Sequence, residues 1–542
     1  MKLAALLDGV TDAALDGDRD VEIAEVRDDS RLVAPGDLFV AVPGTAADGG
    51  AFVADAALRG ARALVIEGPL PAGRGLPAVE ALVPSSFTGA IVRVPSARRA
   101  LARIAANRFG AARALALTAV TGTNGKTTTT HLVEGVLASA GRRVGVIGTI
   151  AYRFGAPGTP AAFSQAAPLT TPGALAFQKL LADMHAAGAT DVVLEATSHA
   201  LDQGRLDGCS FRVAALTNVT QDHLDYHGTM ERYFDAKAIL FERLLDSASG
   251  VAVLPVDLPE GRAMRARVRG PRILAVAAAP GTPGADVVVQ TVDMSATGTR
   301  ARLATPAGPL ELTSPMVGDF NLANIVLSVG IGLARGLSLD EVANGVAATP
   351  GVPGRLQRID NARGVLCVVD YAHTPDALER AIAALRPLVA PGGRLIVVFG
   401  CGGDRDRTKR PLMGEIAARD GDLAIVTSDN PRTEEPASIV EMVLGGVRRV
   451  PSAELDERAL GGAARGFHVA VDRRTAIARA VTAARAGDAV LIAGKGHEDY
   501  QIVGTARLHF DDREEAAAAF RASPGGAAMT VPPTSGEAGH SS

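Results

Sequence analysis

"AVTGTNGKTTTTHL", residues 119–132, is the stretch on which the reading of the fold turns. It joins an apolar run, LALTAV, that reads as a strand to a segment, TTTTHLVEGVLASA, that reads as a helix. Gly122 and Gly125 at the junction allow tight backbone turns, so that successive N–H groups can face an anion. A helix beginning near Lys126 adds the partial positive charge of its N-terminus. Lys126 can reach outer phosphates, and the Thr127 hydroxyl is a ligand for Mg²⁺. The widespread phosphate-loop pattern, G-x-x-x-x-G-K-[ST], requires glycine at position 120, where Val120 stands, so the stretch is a variant of that pattern.

Working outward from this junction, strands and helices alternate from residue 115 to about 350. RVGVIGT, DVVLEAT and VAALTNV read as further strands, with helical segments near 173–187 and 229–245, short strands at 286–304 and a helix opening at Asn321. Such alternation predicts a mostly parallel sheet covered on both faces. The Pro- and Gly-rich TPGVPGRL (349–356) breaks the pattern, which then restarts as a second doubly wound unit. Upstream, DSRLVAPGDLFVAVPG (29–44) reads as a turn followed by a strand within a small α/β unit. The predicted class is α/β with three domains: residues 1–106, a central mostly parallel, phosphate-loop domain over 107–350, and a Rossmann-like doubly wound domain over 351–522. The Pro-, Gly- and Ser-rich tail, 523–542, is expected to be disordered.

Bulk properties narrow the function class. The 542 residues are 47% hydrophobic and 21% charged, with a net charge of −4, so no strong field attracts nucleic acid or an anionic membrane. Aromatics are 4%, without tryptophan, which argues against base-stacking surfaces. Cys209, Cys367 and Cys401 are odd in number and widely spaced, which excludes a disulfide framework and suits a reducing cytoplasm. The first twenty residues have a short apolar run interrupted by acids and make no convincing signal peptide; no stretch is long and apolar enough for a membrane span.

Two downstream segments add chemistry. VVLEATSHALDQGRL (192–206) ends a strand with Glu195, a carboxylate placed where a nucleotide's Mg²⁺ would be held. TNVTQDHLDYHGTMERYFDAKAILF (217–241) carries His223 and Lys237. His223 and His227 stand at i and i+4, but without the HExxH pattern of a zinc site. Together with TGTNGKT, these segments resemble the Mur ligase superfamily, the ATP-dependent amide-forming enzymes of peptidoglycan assembly, to which the folylpolyglutamate synthases are related. The resemblance runs from about residue 20 to about 515.

The resemblance implies a set of roles. ATP would contact Gly122, Thr123, Asn124, Gly125, Lys126, Thr127 and Thr128, then Asn321, with Asn324 a further candidate, in GDFNLANI, Arg355 in PGRLQRI, and Asp370, with His373 nearby, in VVDYAHTPDALE. One Mg²⁺ would lie on Thr127 and Glu195 and a second on His223 and a carbamylated Lys237; Lys126, Lys237, His223 and Glu195 would be the catalytic residues. Carbamylation turns a cation into a carboxylate mimic, and it requires a lysine whose pKa is lowered by its surroundings. Within the family the resemblance is closest to the branch that adds meso-2,6-diaminopimelate to UDP-N-acetylmuramoyl-L-alanyl-D-glutamate. There Ser30, Thr45, Ala46, Ala47, Thr170, Thr171, Thr197, Gln203 and Arg205 would hold the UDP-sugar peptide. Leu169 and Thr197 depart from the family's usual asparagine and serine. The diaminopimelate would meet Arg405, Asp429, Asn430, Pro431, Arg432, Gly494 and Glu498: arginines for its distal carboxylate, acids for its ammonium groups. Closure of domains about the site, a monomeric state and a cytoplasmic location are expected, with neither nucleic acid nor membrane as partner. A folylpolyglutamate synthase-like ligase, a lysine-adding Mur ligase, a non-catalytic nucleotide-binding protein and a generic phosphate-loop ATPase remain as alternatives.

Overall fold

The computed structural model describes residues 1–44, 49–68, 83–155 and 163–523. Thr45, Ala46 and Ala47, and all of the expected tail except Ser523, lie outside the described residues. The chain forms two compact units. The first comprises Met1–Val292, Arg300–Thr313 and Asn321–Thr349; the second comprises Asp293–Thr299, Ser314–Phe320 and the chain from Pro350 on.

The first unit contains two sheets. Among the described residues, the amino-terminal sheet runs Ala14–Asp16, Ala90–Val94, Ala63–Glu67, Leu38–Val40, Val26–Arg27, and only its first pairing is antiparallel. The helix Ala97–Phe109 covers one face with a stripe of Ala97, Leu101 and Ile104 against Leu38, Val65 and Val92. It starts at the Ser96 cap and stops where Gly110 turns left-handed, φ +68°.

The second sheet of this unit carries the phosphate-loop sequence. Its parallel centre runs Arg272–Ala277, Val251–Pro255, Val213–Leu216, Ala116–Thr121, Asp191–Glu195, Val144–Ile147. Leu117, Ala119, Val192, Leu194, Ala214 and Leu216 are fully buried, as strands covered on both faces require. The register decides what surrounds the loop. Glu195 pairs with Val120 and Leu216 with Thr121, so Gly122 emerges between the end of the Glu195 strand and Thr217.

In the second unit the sheet order is Gln357–Ile359, Leu366–Asp370, Ala489–Ala493, Leu395–Cys401, Leu423–Ser428, Gly466–Val469, parallel except for the first pair. Helices Pro375–Leu385, Lys409–Asp420 and Pro436–Val447 bury Leu378, Met413 and Val443 on one face. Arg473–Ala483 and Asp512–Ala522 bury Ile477 and Phe520 on the other. An antiparallel hairpin, Tyr500–Val503 with Ala506–His509, follows the last strand of the sheet.

The α/β class, the mostly parallel central sheet and the doubly wound carboxyl-terminal sheet match the expectation. Local differences have local causes. The helix expected to open at Asn321 opens at Asp319, where an acid suits the first turn. The strand Gly466–Val469 and the hairpin went unread, because neither has the apolar run that marks the other strands. Among the described residues, no helix is long and apolar enough to cross a membrane.

Candidate active site

In the first unit the loop is shaped by what its glycines must avoid. Gly122 has φ +145°, and a Cβ there would lie 1.8 Å from Thr217 Oγ1; Gly125 has φ +84°, and a Cβ would lie 2.3 Å from Asn324 Oδ1. Thr217 Oγ1 in turn donates to the Asn124 carbonyl (2.6 Å), and the Asn124 N–H donates to Asn218 Oδ1 (3.0 Å). Thr123 Oγ1 donates to the Thr220 carbonyl (3.1 Å) and lies 3.1 Å from the Tyr233 hydroxyl. The loop is therefore clamped from the strand end and from the helix that holds Asn324. Asn321 is buried one turn before Asn324 on the same helix.

Lys126 Nζ donates to the carbonyls of Gly122 (3.0 Å) and Thr123 (2.8 Å). Thr127 Oγ1 donates to Glu195 Oε2 (3.0 Å), and Glu195 also accepts from the Thr149 N–H (2.8 Å) and Thr149 Oγ1 (3.1 Å). Thr127, Thr128 and Glu195 are buried. From Glu195 the network continues. Thr149 and Thr170 hydroxyls are 3.1 Å apart, Thr171 Oγ1 donates to the Glu195 carbonyl (2.7 Å), and Thr171 and Thr197 hydroxyls are 3.2 Å apart. Arg205 donates to the Thr171 carbonyl (2.9 Å) and to Gln203 Oε1 (2.7 and 3.0 Å). The fold thus unites Glu195, Thr170, Thr171, Thr197, Gln203 and Arg205. Burial and then the nearby Arg98 cation lower the Arg205 pKa, so two guanidiniums share this end of the site. Arg98, which also donates to the Pro43 carbonyl, was missed in the sequence, as was Thr149. Each acts through a partner remote in the chain, which no local pattern marks. Ser30 is buried in the single turn Ser30–Leu32 of the amino-terminal domain.

Lys237 is 1% exposed, donates to the Gly122 carbonyl (2.8 Å) and lies 4.2 Å above the Tyr233 ring centroid. It therefore shares its acceptor with Lys126. Burial first, then the Lys126 charge, push its pKa well below the usual lysine range, with Asp222 partly opposing. His223 sits 6.2 Å from the Tyr233 ring between centroids, in left-handed backbone at φ +52°. His227 faces inward to Ser198 Oγ (3.0 Å). Among the described residues, no group of three or more His, Cys, Asp or Glu is arranged to hold a metal ion. The oxygen pair of Thr127 and Glu195 fits Mg²⁺, which prefers hard oxygen ligands and keeps several waters or phosphate oxygens.

In the second unit, Gly354 has φ +66°, and a Cβ there would come within 2.1 Å of Gly496 C and His497 N. Arg355 is thereby set 4.8 Å over the Tyr371 ring centroid. Asp370 accepts from the Leu356 N–H (2.7 Å); burial raises its pKa and Arg355 opposes the rise. His373 Nδ1 lies 2.7 Å from the Tyr371 carbonyl, and burial lowers its pKa.

Residues 429–432 follow the strand Leu423–Ser428. Asp429 and Asn430 are buried, and Arg432 is half-buried with φ +52°. That strained backbone is held from outside: the Arg432 N–H donates to the Ile502 carbonyl (3.0 Å), and the Gly504 N–H donates to the Arg432 carbonyl (2.7 Å). Arg432 Nη1 donates to the Gly403 carbonyl (2.8 Å). A Cβ at Gly402 would sit 2.9 Å from Arg432 Nη1 and 3.8 Å from Arg405 Cγ, so half-buried Arg432 and exposed Arg405 both approach that glycine. Buried Arg410 ties the two segments together, bridging Glu434 (2.7 Å) and the Gly402 carbonyl (3.1 Å). Gly494, at φ +123°, would place a Cβ 3.1 Å from Asp429 Oδ2. Glu498 accepts from Asn430 Nδ2 (2.9 Å), and fully buried Lys495, unread in the sequence, lies against Asp429, Asn430 and Glu498.

Three family models match: the Mur ligase family catalytic domain over 22–109, the Mur ligase middle domain over 120–332, and the Mur ligase glutamate ligase domain over 354–496. Among curated proteins, the chain is 45% identical to the UDP-N-acetylmuramoyl-L-alanyl-D-glutamate–2,6-diaminopimelate ligase of Geobacter metallireducens, across 96% of this chain and 98% of that one. It is 47% identical to the protein of the same name from Gloeobacter violaceus, across 92% and 94%. A solved structure of a ligase of that name superposes with a TM-score of 0.69 at 34% identity, covering 96% of this chain and 99% of the other. The loop clamped by Thr217 and Asn324, the Thr127–Glu195 pair and identity sustained over nearly the whole length agree, and the chain belongs to the Mur ligase family.

Proposed function

We propose that this chain is the ligase that joins meso-2,6-diaminopimelate to the D-glutamyl carboxylate of UDP-N-acetylmuramoyl-L-alanyl-D-glutamate with ATP. The observation that carries the reading is that Arg432 and Arg405 both approach Gly402 on the unit that also holds buried Asp429 and half-buried Glu498, in a chain 45–47% identical to ligases of that name. A substrate with a distal zwitterion needs both signs of charge at one end of its pocket, and here both are fixed.

A carboxylate is a poor acyl donor because its leaving group would be oxide. ATP phosphorylates it, the acyl phosphate is attacked by the diaminopimelate amine, and ADP and phosphate leave. The loop N–H groups and Lys126 hold the phosphates. Arg355, held over the Tyr371 ring, is read from the family resemblance as the γ-phosphate contact. Arg205 and Arg98 bind the anionic UDP-sugar peptide, and Thr170, Thr171, Thr197 and Gln203 orient it. Thr127 and Glu195 would hold one Mg²⁺; His223 and a carbamylated Lys237 would hold another. Bound there, Mg²⁺ would supply charge neutralisation for the transferred phosphoryl group. Burial and Lys126 lower the Lys237 pKa, which favours the free amine that captures CO₂, and the carbamate would replace repulsion from Lys126 with attraction. ATP and a UDP-sugar as substrates, and three buried free cysteines, support a cytoplasmic location, and the family resemblance suggests a monomer.

Phosphate release is the direct test: UDP-N-acetylmuramoyl-L-alanyl-D-glutamate is kept constant and only the amino acid is varied. Turnover with meso-diaminopimelate should exceed that with L-lysine by a few hundredfold, since lysine leaves an arginine without its carboxylate. Equal turnover would overturn the assignment. For the carbamate, Lys237→Ala should lose activity and regain part of it with added short-chain carboxylic acids; full activity without them would remove that role.

A further inference from the structure

We propose that Lys495 is a positioning residue for the amino-acid pocket: its ammonium locks Asp429, Asn430 and Glu498 into one hydrogen-bonded unit that leaves a single negative charge for the ammonium of the incoming substrate. This rests on the reading of Asp429 and Glu498 as diaminopimelate contacts, and it adds a residue that does not itself touch substrate.

The geometry is specific. Lys495 is 0% exposed, so its Nζ is out of reach of a ligand. An ammonium has three N–H donors, and three acceptors surround this one: Asn430 Oδ1 at 3.0 Å, Asp429 Oδ1 at 3.4 Å and Glu498 Oε2 at 3.5 Å. The Asn430 amide is oriented by its neighbours, since Oδ1 accepts from Lys495 and from the Ile502 N–H (2.9 Å) while Nδ2 donates to Glu498 Oε2 (2.9 Å). Lys495 follows the strand Ala489–Ala493 and Asp429 follows Leu423–Ser428; these strands flank Leu395–Cys401 and do not pair with each other. The lysine therefore bridges the carboxyl end of the intervening strand, the crevice where open α/β sheets bind ligands.

The charge arithmetic follows. Asp429 and Glu498 together carry two negative charges, and Lys495 returns one positive. Without the lysine, the two carboxylates would repel each other, and a proton that relieved them would take an acceptor out of the hydrogen-bonded unit. Burial already raises the Glu498 pKa, with Lys495 opposing and Asp429 adding. Tyr371, Tyr500 and Arg473 are the other titratable or charged groups that face it.

The test is steady-state kinetics of Lys495→Met, with KM measured for each substrate across pH. The expected result at neutral pH is a KM for meso-diaminopimelate raised at least ~30-fold, with KM for ATP and for the UDP-sugar peptide within about twofold. The defect should shrink as pH rises and Glu498 ionises. A double change with Glu498→Gln should cost less than the sum of the two singles. A variant that only melts earlier, with its diaminopimelate KM unchanged, overturns the proposal. Should Lys495→Met fail to fold, Asn430→Asp probes the same unit by replacing the Nδ2 donor with a third carboxylate. Its diaminopimelate KM should rise, more so at high pH, and an unchanged KM is the overturning result. Arg432→Met is the control for the underlying reading. If the wild type does not use meso-diaminopimelate, that reading fails; if Arg432→Met raises KM and neither Lys495→Met nor Asn430→Asp does, only the Lys495 proposal fails.

Discussion

The loop at 122–127 and the segment at 429–432 follow strands of two different sheets, and each is read as grasping a charged ligand, yet they are built from opposite materials. The loop is backbone. Its conformation comes from Gly122 and Gly125, and hydroxyl and amide side chains, Thr217, Asn218 and Asn324, hold it in place. The amino-acid pocket is buried charge. Arg410 on Glu434, Arg473 on Asp512, and Lys495 among Asp429, Asn430 and Glu498 hold it from beneath. A phosphate is bound well by oriented N–H groups, which are conformational and need no ionised side chain. A zwitterion needs both signs at fixed positions, and fixed charges in a protein interior must be paired.

The sharpest way to break this comparison is Gly122→Ala. The Cβ would meet Thr217 Oγ1 at 1.8 Å in a backbone region alanine avoids. Turnover should fall on the order of 10³-fold, as when a preorganised donor is removed, while the melting temperature falls only slightly; an active variant would show that the loop does not depend on this conformation. Next is Arg473→Met, which strips the fully buried Asp512 of a partner at 2.6 Å and frees the Ser428 and Ala493 carbonyls. The loss should be about 3–5 kcal/mol, seen as a large drop in thermal stability by calorimetry, and a shift within error would mean that the pair does not support this unit.

Arg432→Met should raise the diaminopimelate KM by roughly 100-fold, as loss of a buried carboxylate partner does, and should bring lysine turnover near that of diaminopimelate. Unchanged selectivity would move the specificity elsewhere in the pocket. The smallest effect is a pH dependence. The Arg410 guanidinium lowers the Glu434 pKa from 4.5 to about 2. Its folded value is depressed, so its stabilisation is present above about 4.5 and lost as pH falls through about 2. The melting-temperature gap between wild type and Glu434→Gln should therefore narrow across that window; a gap constant with pH would show that the ion pair is not its source.

Lys237 is a buried lysine placed against the loop. A lysine with a depressed folded pKa is a destabilising group at neutral pH. The penalty is complete below the folded value and fades as pH rises toward the ordinary 10.5. Lys237→Met in CO₂-free buffer should melt higher than the unmodified wild type at pH 7, with the difference shrinking toward alkaline pH.

Legibility in the sequence followed the same division. The loop, Glu195 and the strand–helix alternation were readable because adjacent residues specify them: glycines at the turn, a lysine and threonine at the helix start, apolar runs between. Asp429, Asn430 and Arg432 were visible as an odd cluster at a strand end. The sequence reading treated Asp429 and Glu498 as acids free to receive ammonium, whereas the structure pairs both with Lys495 and gives Glu498 a further bond from Asn430. Lys495, Arg410 and Arg473 drew no attention, since each is a lone cation in an unremarked position until the chain folds.

What the sequence alone determined is the class of fold, the phosphate loop and the family, because these are written in short-range patterns of glycine, apolar runs and motif spacing. Tertiary structure decided the lowered pKa of Lys237, the left-handed pose of Arg432 and the pairing of the pocket acids. Those depend on burial and on partners tens to more than a hundred residues away, and a desolvated charge takes its energy from whatever the fold places beside it.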